Sequence, residues 1–322
     1  MSEFHIVTGA AGFIGRCLIK RLLATGAEVA GFDNLCRGTL KNIAEFAAEP
    51  RFQFTRADVA DAGALQAGFA AAMAGKDPKA TTVWHLAANS DIPAGVKDPA
   101  VDLRDTFMTT YCVAHTMGKF GLKKIAFAST SAVYGALKEP LHEAIGPLFP
   151  IANYGAMKLA SEAVITAAVE SHLAQAWIFR FPNVIGGFAT HGVIYDFSRK
   201  LRRDPNKLVV LGNGRQQKAY LLVDELVDAM LFVKAHASER INCFNVGPAD
   251  EGVTVRFIAE ETARVAAPGA VIEYTGGDRG WIGDVPKFVY STHKLNALGW
   301  TPRLSSADAI RAAVPQIWSE SE

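Results

Sequence analysis

Apolar and polar positions along the chain follow two rhythms. Short, nearly continuous apolar runs at 4–8, 28–32, 51–56, 81–86, 124–128 and 175–180 predict buried strands, and the stretches between them carry helical spacing. Cys17, Leu18, Ile19, Leu22 and Leu23 space a first helix, and an alanine-rich stretch at 62–74 predicts another. Asp98-Pro99 opens a long helix to Phe120 that Gly121 stops, and residues 153–170 predict one more. Strand and helix in steady succession predict an α/β fold built on a doubly wound parallel sheet, with ligands beyond the carboxyl ends of the strands. Past residue 180 the rhythm breaks into shorter elements with loops around 189–192, Asp204-Pro205, Gly212-Asn213-Gly214 and 276–286. Residues 1–180 are therefore expected to bind nucleotide and carry the chemistry, and 181–322 to form mainly a smaller α/β substrate lobe. No linker, low-complexity segment or repeat separates the two, so the lobes are expected to interleave.

Composition narrows the partners. Lys and Arg number 33 against 32 Asp and Glu, for a net charge of +1, so a nucleic-acid partner is not expected. Cys17, Cys36, Cys112 and Cys243 have no metal-ligand spacing, and neither have His85, His115, His142 and His191, so no metal is expected. The chain passes from Met1-Ser2-Glu3 straight into the first strand, and no apolar run approaches membrane length. The expectation is a soluble, cytoplasmic protein with no membrane partner.

Between the first strand and first helix stands Gly9-Ala10-Ala11-Gly12-Phe13-Ile14-Gly15. Strand, glycine-rich turn and helix present backbone N–H groups and a helix N-terminus to a pyrophosphate, a Rossmann-like arrangement. Gly9 suits the tight turn, Gly12 an approach to phosphate, and Gly15 close helix packing, with Phe13 and Ile14 opening the helix. The spacing is GxxGxxG rather than GxGxxG, so context must decide. The second strand ends in Asp33, about 20 residues further on, where a carboxylate accepts hydrogen bonds from an adenosine ribose and repels a 2′-phosphate. Asn34 and Leu35 follow it, which favours NAD over NADP, and Arg37 is the basic side chain nearby. After the third strand come Asp58, able to reach an adenine amino group, and Val59. The small side chains of Ala87 and Ala88 after the fourth strand suit a backbone lying beside a cofactor.

The chemistry points to Tyr154 and Lys158, four apart and so on one face of the 153–170 helix. A nearby cation favours a phenolate and would let the tyrosine act as a base. A hydroxyl from Thr130 or a neighbouring serine, delivered by the fifth strand, could hold a substrate oxygen. Alone, such a pair equally describes a core-margin aromatic and a solvated lysine.

Together these parts resemble extended short-chain dehydrogenase/reductases of the nucleotide-sugar epimerase and dehydratase kind, most of all the UDP-hexose 4-epimerases that act on UDP-glucose or UDP-glucuronate. The resemblance covers nearly the whole length. It rests on TGAAGFIG, DNLCRG, HLAA, STSAVYG, YGAMK, RFPNVIGG and GNGRQQKAYLLVDELVDA. It implies NAD that stays bound through turnover, Tyr154 as base, Lys158 on the nicotinamide ribose, Thr130 as the hydroxyl touching substrate, and Asn183 on the nucleotide diphosphate. Three positions depart from the family pattern. Thr106 stands where an asparagine is usual. Lys218 replaces a diphosphate-binding arginine with a point charge that lacks the bidentate fork. Trp281 takes the place of a last arginine, so Arg279, two residues earlier, is expected to bind phosphate from a shifted loop.

The resemblance also bears on which reaction. Dehydratases of this kind carry STDEVYG and uronate decarboxylases STSEVYG, whereas here the two positions are Ser131 and Ala132. Neither can do acid–base work, which leaves hydride removal and return at one carbon: C4 epimerisation of a nucleotide sugar through a 4-keto intermediate. A dehydrogenase or reductase with net NAD(P) turnover is the alternative, and a non-catalytic nucleotide sensor a third reading that the intact Thr130, Tyr154 and Lys158 oppose. By resemblance, the helices at 99–120 and 153–170 pair across a homodimer.

Overall fold

The computed structural model describes residues 3–137, 140–248, 250–277 and 290–320. Six strands, β1 (Phe4–Thr8), β2 (Glu28–Asp33), β3 (Phe52–Arg56), β4 (Thr82–His85), β5 (Lys124–Thr130) and β6 (Gln175–Phe181), join the strand Ile241–Asn245 in one sheet. From one edge the order is Ile241–Asn245, β6, β5, β4, β1, β2, β3. The pairs β1–β2, β2–β3, β1–β4 and β4–β5 are parallel, as strands joined through helical crossovers must be. Order reverses between β1 and β4, and this switch point is where a doubly wound sheet opens a crevice at its carboxyl edge.

The helices of this part are α1 (Phe13–Ala24), α2 (Leu40–Ile43), α3 (Ala62–Ala72), α4 (Ile92–Lys97), α5 (Pro99–Asp102), α6 (Thr109–Lys119) and α7 (Asn153–Ser171). Helices α3, α6 and α7 pack side by side. On one sheet face Ile6, Phe32, Val83, Ile125 and Phe127 meet Leu65 and Phe69 of α3, Val113 and Met117 of α6, and Ile165 and Val169 of α7. Alternate residues of each strand point this way, so a period-2 pattern on the strands closes against apolar stripes on the helices.

One predicted element divides. The single helix expected over 99–120 is α5, a π-helical turn at Leu103–Met108, and then α6. Wider π turns relax the regular backbone bonding, and threonines complete it here: Thr109 Oγ1 and Thr110 Oγ1 donate to the carbonyl of Thr106 at 2.8 and 3.2 Å. Asp102 and Thr106 are fully buried at this break.

The described chain divides into two compact units, each assembled from discontinuous segments. The first comprises Met1–Val133, Phe149–Arg180 and Met230–Phe244, and the second Tyr134–Leu148, Phe181–Ala229 and Asn245–Glu322. Among its described residues the second unit has three two-stranded pieces: Asn183–Ile185 with Tyr220–Leu222, Lys207–Val210 with Val271–Tyr274, and Gln217–Lys218 with Val253–Thr254. Its own core joins Phe197 and Leu201 of the helix Val193–Arg203 to Ile258, Ile310 and Val314 from two further helices. Tyr134 donates to Asn245 Oδ1 at 2.7 Å, and Asn245 Nδ2 donates to the carbonyls of Leu141 and Ser291, each at 2.9 Å, which ties distant segments of this unit together.

Inside the first unit, Glu162 of α7 is buried beside Arg180 of β6, with Nη2 to Oε2 at 2.6 Å and Nε to Oε1 at 2.9 Å, and Ser129 Oγ donates to Oε1 at 2.5 Å. Removing one partner of such a pair strands the other charge in low dielectric. The substitution Arg180→Met is expected to destabilise the fold by about 3–5 kcal/mol in denaturant unfolding. A cost below about 1 kcal/mol would mean that Glu162 is not carrying a buried charge.

Candidate active site

The glycine turn lies against the exit of β4. Gly9 takes φ of +72°, and a Cβ there would come within 2.9 Å of the Ala87 nitrogen. A Cβ on Gly15 would overlap the Gly9 carbonyl, so the turn and the first turn of α1 can close only without side chains. Gly12 caps α1, and Phe13 and Ile14 begin it. Asp33, 8% exposed, is bound into the same turn: Oδ2 accepts from Ala11 N at 3.0 Å and Oδ1 from Leu35 N at 2.7 Å. Burial pushes its carboxyl pKa up while those two N–H groups pull it back. The segment after β2 folds over the turn, with Thr39 N and Asn42 Nδ2 both donating to the Ala11 carbonyl at 3.3 and 2.8 Å. Asn34 caps this segment locally, its Oδ1 accepting from Cys36 N at 3.0 Å. A cradle of backbone N–H groups free of side chains, with a carboxylate at its rim, fits the pyrophosphate and adenosine ribose of a dinucleotide.

Two basic residues rearrange the expected picture. Arg37 is engaged by Asp91, Nη1 to Oδ2 at 3.1 Å, at the N-cap of α4, a helix that the sequence pattern did not reveal. Its guanidinium is thus paired with Asp91. Asp58 Oδ1 accepts from Ala60 N at 3.0 Å, while Oδ2 pairs with Arg104, which also pairs with Asp105 at 2.5 Å. The carboxylate expected to face an adenine is therefore shared with a cation from the π turn. Val59 is buried beside it, and Ala87 and Ala88 are half-buried after β4.

Tyr154 sits in the first turn of α7 and Lys158 one turn later. Lys158 is 2% exposed; its Nζ donates to the Ala128 carbonyl at 2.7 Å and lies 4.7 Å from the Phe127 ring centroid and 5.9 Å from that of Tyr154. Burial pulls its pKa from 10.5 to about 7, opposed first by Glu162 and then by Asp102. Tyr154 is pushed upward, by burial first and by the charge of Asp102 second, with a hydrogen bond from Thr130 opposing. The expected lowering of the phenol by its lysine is thus not a property of the chain alone. Desolvation dominates the phenol, and the ammonium, itself pulled down by burial, is bonded to the Ala128 carbonyl. Thr130, at the end of β5, also accepts from Ala132 N at 3.2 Å, and Ser131 and Ala132 lie in the 3-10 turn Ser131–Tyr134.

His85, fully buried beneath the pair, is fixed by Thr8 at 2.7 Å and Thr110 at 3.0 Å and stacks on Phe127, so it supports the floor. In the second unit Asn183 opens the strand Asn183–Ile185, and its Nδ2 donates at 3.4 Å to the carbonyl of Ala219, the residue after Lys218. Arg279 and Trp281 lie outside the described residues. The sequence reading missed Asp102, Arg104 and Glu162. Glu162 alone had a signal, since it lies one turn beyond Lys158 on the same helix face.

Because the lysine's pKa falls on folding, the unfolded chain binds the extra proton between about pH 7 and 10.5, and stability rises with pH across that window. In the nucleotide-free chain Lys158→Met is expected to raise the denaturant midpoint at pH 7 and below. The gain should fade toward pH 10.5; a difference that does not vary with pH would contradict the assigned burial.

A profile of the NAD dependent epimerase/dehydratase family matches residues 5–247. The UDP-glucose 4-epimerase of Mycolicibacterium smegmatis is 30% identical over 320 residues, covering 96% of each chain. The crystal structure of the Thermus thermophilus UDP-glucose 4-epimerase in complex with NAD shares 27% identity with a TM-score of 0.83, covering 98% of each chain. The UDP-glucose 4-epimerase of Thermotoga maritima, solved with UDP-glucose, shares 25% with a TM-score of 0.85, covering 99% of this chain and all of that one. The glycine cradle, the acid at its rim and the paired Tyr154 and Lys158 thus stand on a sheet matched over its full extent, and the chain belongs to the NAD dependent epimerase/dehydratase family.

Proposed function

We propose that the chain is a nucleotide-sugar 4-epimerase acting on a UDP-hexose, UDP-glucose/UDP-galactose or the corresponding UDP-uronates, with resident NAD. The observation that carries this reading is the set of Thr130, Tyr154 and Lys158 at the carboxyl end of β5, with no carboxylate at Ser131 or Ala132 to drive water loss or decarboxylation. The 4-epimerase relatives support it.

In this reading Gly9, Gly12, Phe13, Ile14 and Gly15 receive the pyrophosphate, Asp33 and Asn34 the adenosine ribose, Asp58 and Val59 flank the adenine, and the backbone of Ala87 and Ala88 lies beside the cofactor. Lys158 holds the nicotinamide ribose. NAD, when bound, would supply the hydride acceptor and donor for C4. Tyr154 takes the C4 hydroxyl proton, Thr130 steadies that oxygen by hydrogen bonding, and Tyr154 returns the proton once the 4-keto sugar has presented its other face. The raised phenol pKa of the chain alone suits a base that becomes competent only when the site is loaded. Asn183 and Lys218, and Arg279 from the sequence, are assigned to the substrate diphosphate.

Two coarser assignments accompany this. A cytoplasmic location is supported by four cysteines held as thiols, and no helix among the described residues is long and apolar enough to cross a membrane. A homodimer is supported by Leu103 and Tyr111, 51% and 47% exposed, one on the π turn and one on α6, with Tyr111 stacked on His115.

Purified protein given UDP-glucose, or UDP-glucuronate, without added cofactor is expected to form the C4 epimer with no net reduced nicotinamide. Steady accumulation of reduced cofactor only on supplying NAD⁺ would establish the dehydrogenase alternative instead. Tyr154→Phe is expected to lower turnover by about 100- to 10,000-fold while leaving bound NAD in place. Tyr111→Glu is expected to shift the sedimenting species from dimer to monomer, and a wild-type monomer at micromolar concentration would end the homodimer assignment.

A further inference from the structure

Asp102 ends α5, immediately before the π turn, and is fully buried. One carboxylate oxygen is spoken for: Oδ1 accepts from Asn89 Nδ2 at 2.8 Å and from Thr106 Oγ1 at 3.3 Å. The other, Oδ2, is buried with no hydrogen-bond partner among the described residues. It occupies the space of an absent side chain, because a Cβ on Gly95 of α4 would overlap it. A lone buried carboxylate oxygen is costly, so folding alone gives no reason to keep an acid here.

What the acid faces supplies the reason. Helices α4 and α5 both pack on α7. The carbonyl of Gly95 accepts from Asn153 Nδ2 at 2.9 Å, and Asn153 is the residue before Tyr154. Asp102 therefore reaches the first turn of α7 through a single glycine. Its charge acts on both members of the pair, disfavouring ionisation of Tyr154 and favouring the ammonium of Lys158. Burial pushes the Asp102 carboxyl upward, the hydrogen bonds from Asn89 and Thr106 and the charge of Lys158 from α7 pull it back toward the carboxylate, and Asp91 from the cap of α4 opposes them; Asp105 of the π turn also feels it. Arg104 is turned outward onto Asp58 and Asp105.

We infer that Asp102 is a positioning residue of this active site, a buried carboxylate that backs the Gly95–Asn153 contact at the start of α7 and sets its negative charge against Tyr154 and Lys158. Its kinetic consequence rests on the epimerase reading; its effect on Lys158 does not. Asp102 and Glu162 stand on different elements and share the ammonium as countercharges, but of the two only Glu162 has a guanidinium beside it among the described residues. Asp102 is thus the second countercharge of the ammonium after Glu162, and it has no other cation beside it among the described residues.

The test uses the purified enzyme with its resident cofactor, and Asp102→Asn, which keeps shape and removes charge. The side-chain titration of Lys158, followed by NMR on isotopically labelled lysine and assigned with Lys158→Met, is expected to fall by about one unit in Asp102→Asn. Gly95→Ala, which displaces the acid without replacing it, is expected to move Lys158 in the same direction and serves if the first variant does not fold. Asp105→Asn, on the outward side, is expected to leave Lys158 where it was. In turnover, both limbs of the kcat/KM profile of Asp102→Asn are expected to move to lower pH, because the phenol ionises more easily and the ammonium is lost earlier. A profile lowered at every pH without displacement, together with an unmoved Lys158, would reduce Asp102 to a packing residue. A wild-type enzyme that epimerises no UDP-hexose would fail the functional reading, and the Lys158 titration would still decide Asp102.

Discussion

A buried ammonium is the constraint around which this molecule is arranged. Lys158 is removed from water on a helix that must also present Tyr154, and the fold meets that desolvation with a strand-end carbonyl, an aromatic face and two acids at unequal remove. A solvated lysine would titrate far above neutrality and act as a constant charge. This one is brought to where protonation is in balance, so small changes around it matter. Glu162 is in turn ion-paired with Arg180 of the neighbouring strand. The ion pair is thus the foundation of the lysine rather than an independent stabiliser.

The parallel sheet explains why nucleotide cradle and proton-transfer pair can share one neighbourhood. Every parallel strand delivers its carboxyl end to the same edge: β1 into the glycine turn, β2 into Asp33, β4 into Ala87 and Ala88, β5 into Thr130. Close packing there is literal, since Gly9 lies against the Ala87 backbone and the segment after Asp33 is hydrogen-bonded onto Ala11. The site's polar groups are largely committed to one another before any ligand enters, which is the preorganisation that binding a dinucleotide tightly requires. Arg37 and Arg104 extend the same logic, each satisfying an acid displayed at this edge.

The amino-acid sequence by itself determined the parts whose causes are local. Apolar runs of strand length, helical spacing between them, a glycine turn that tolerates positive φ, an acid closing the second strand, and a tyrosine and lysine one helical turn apart are all written in neighbouring residues. Each survived folding because nothing distant competes with it. The long helix expected over 99–120 did not survive whole, because its spacing records helix propensity but not the burial of Asp102 and Thr106 that accompanies the π turn. The partners of Arg37, Arg104, Asp102 and Arg180 were invisible for the same reason: Arg37 meets Asp91 54 positions on, Arg104 meets Asp58 46 back, and Asp102 and Arg180 meet Asn89 and Glu162 13 and 18 back, and charge along the chain says nothing about which groups meet. Most of all, the sequence placed a cation beside a phenol, and only tertiary structure could decide how each would titrate. Burial dominates both, and burial belongs to the packed molecule rather than to any stretch of it.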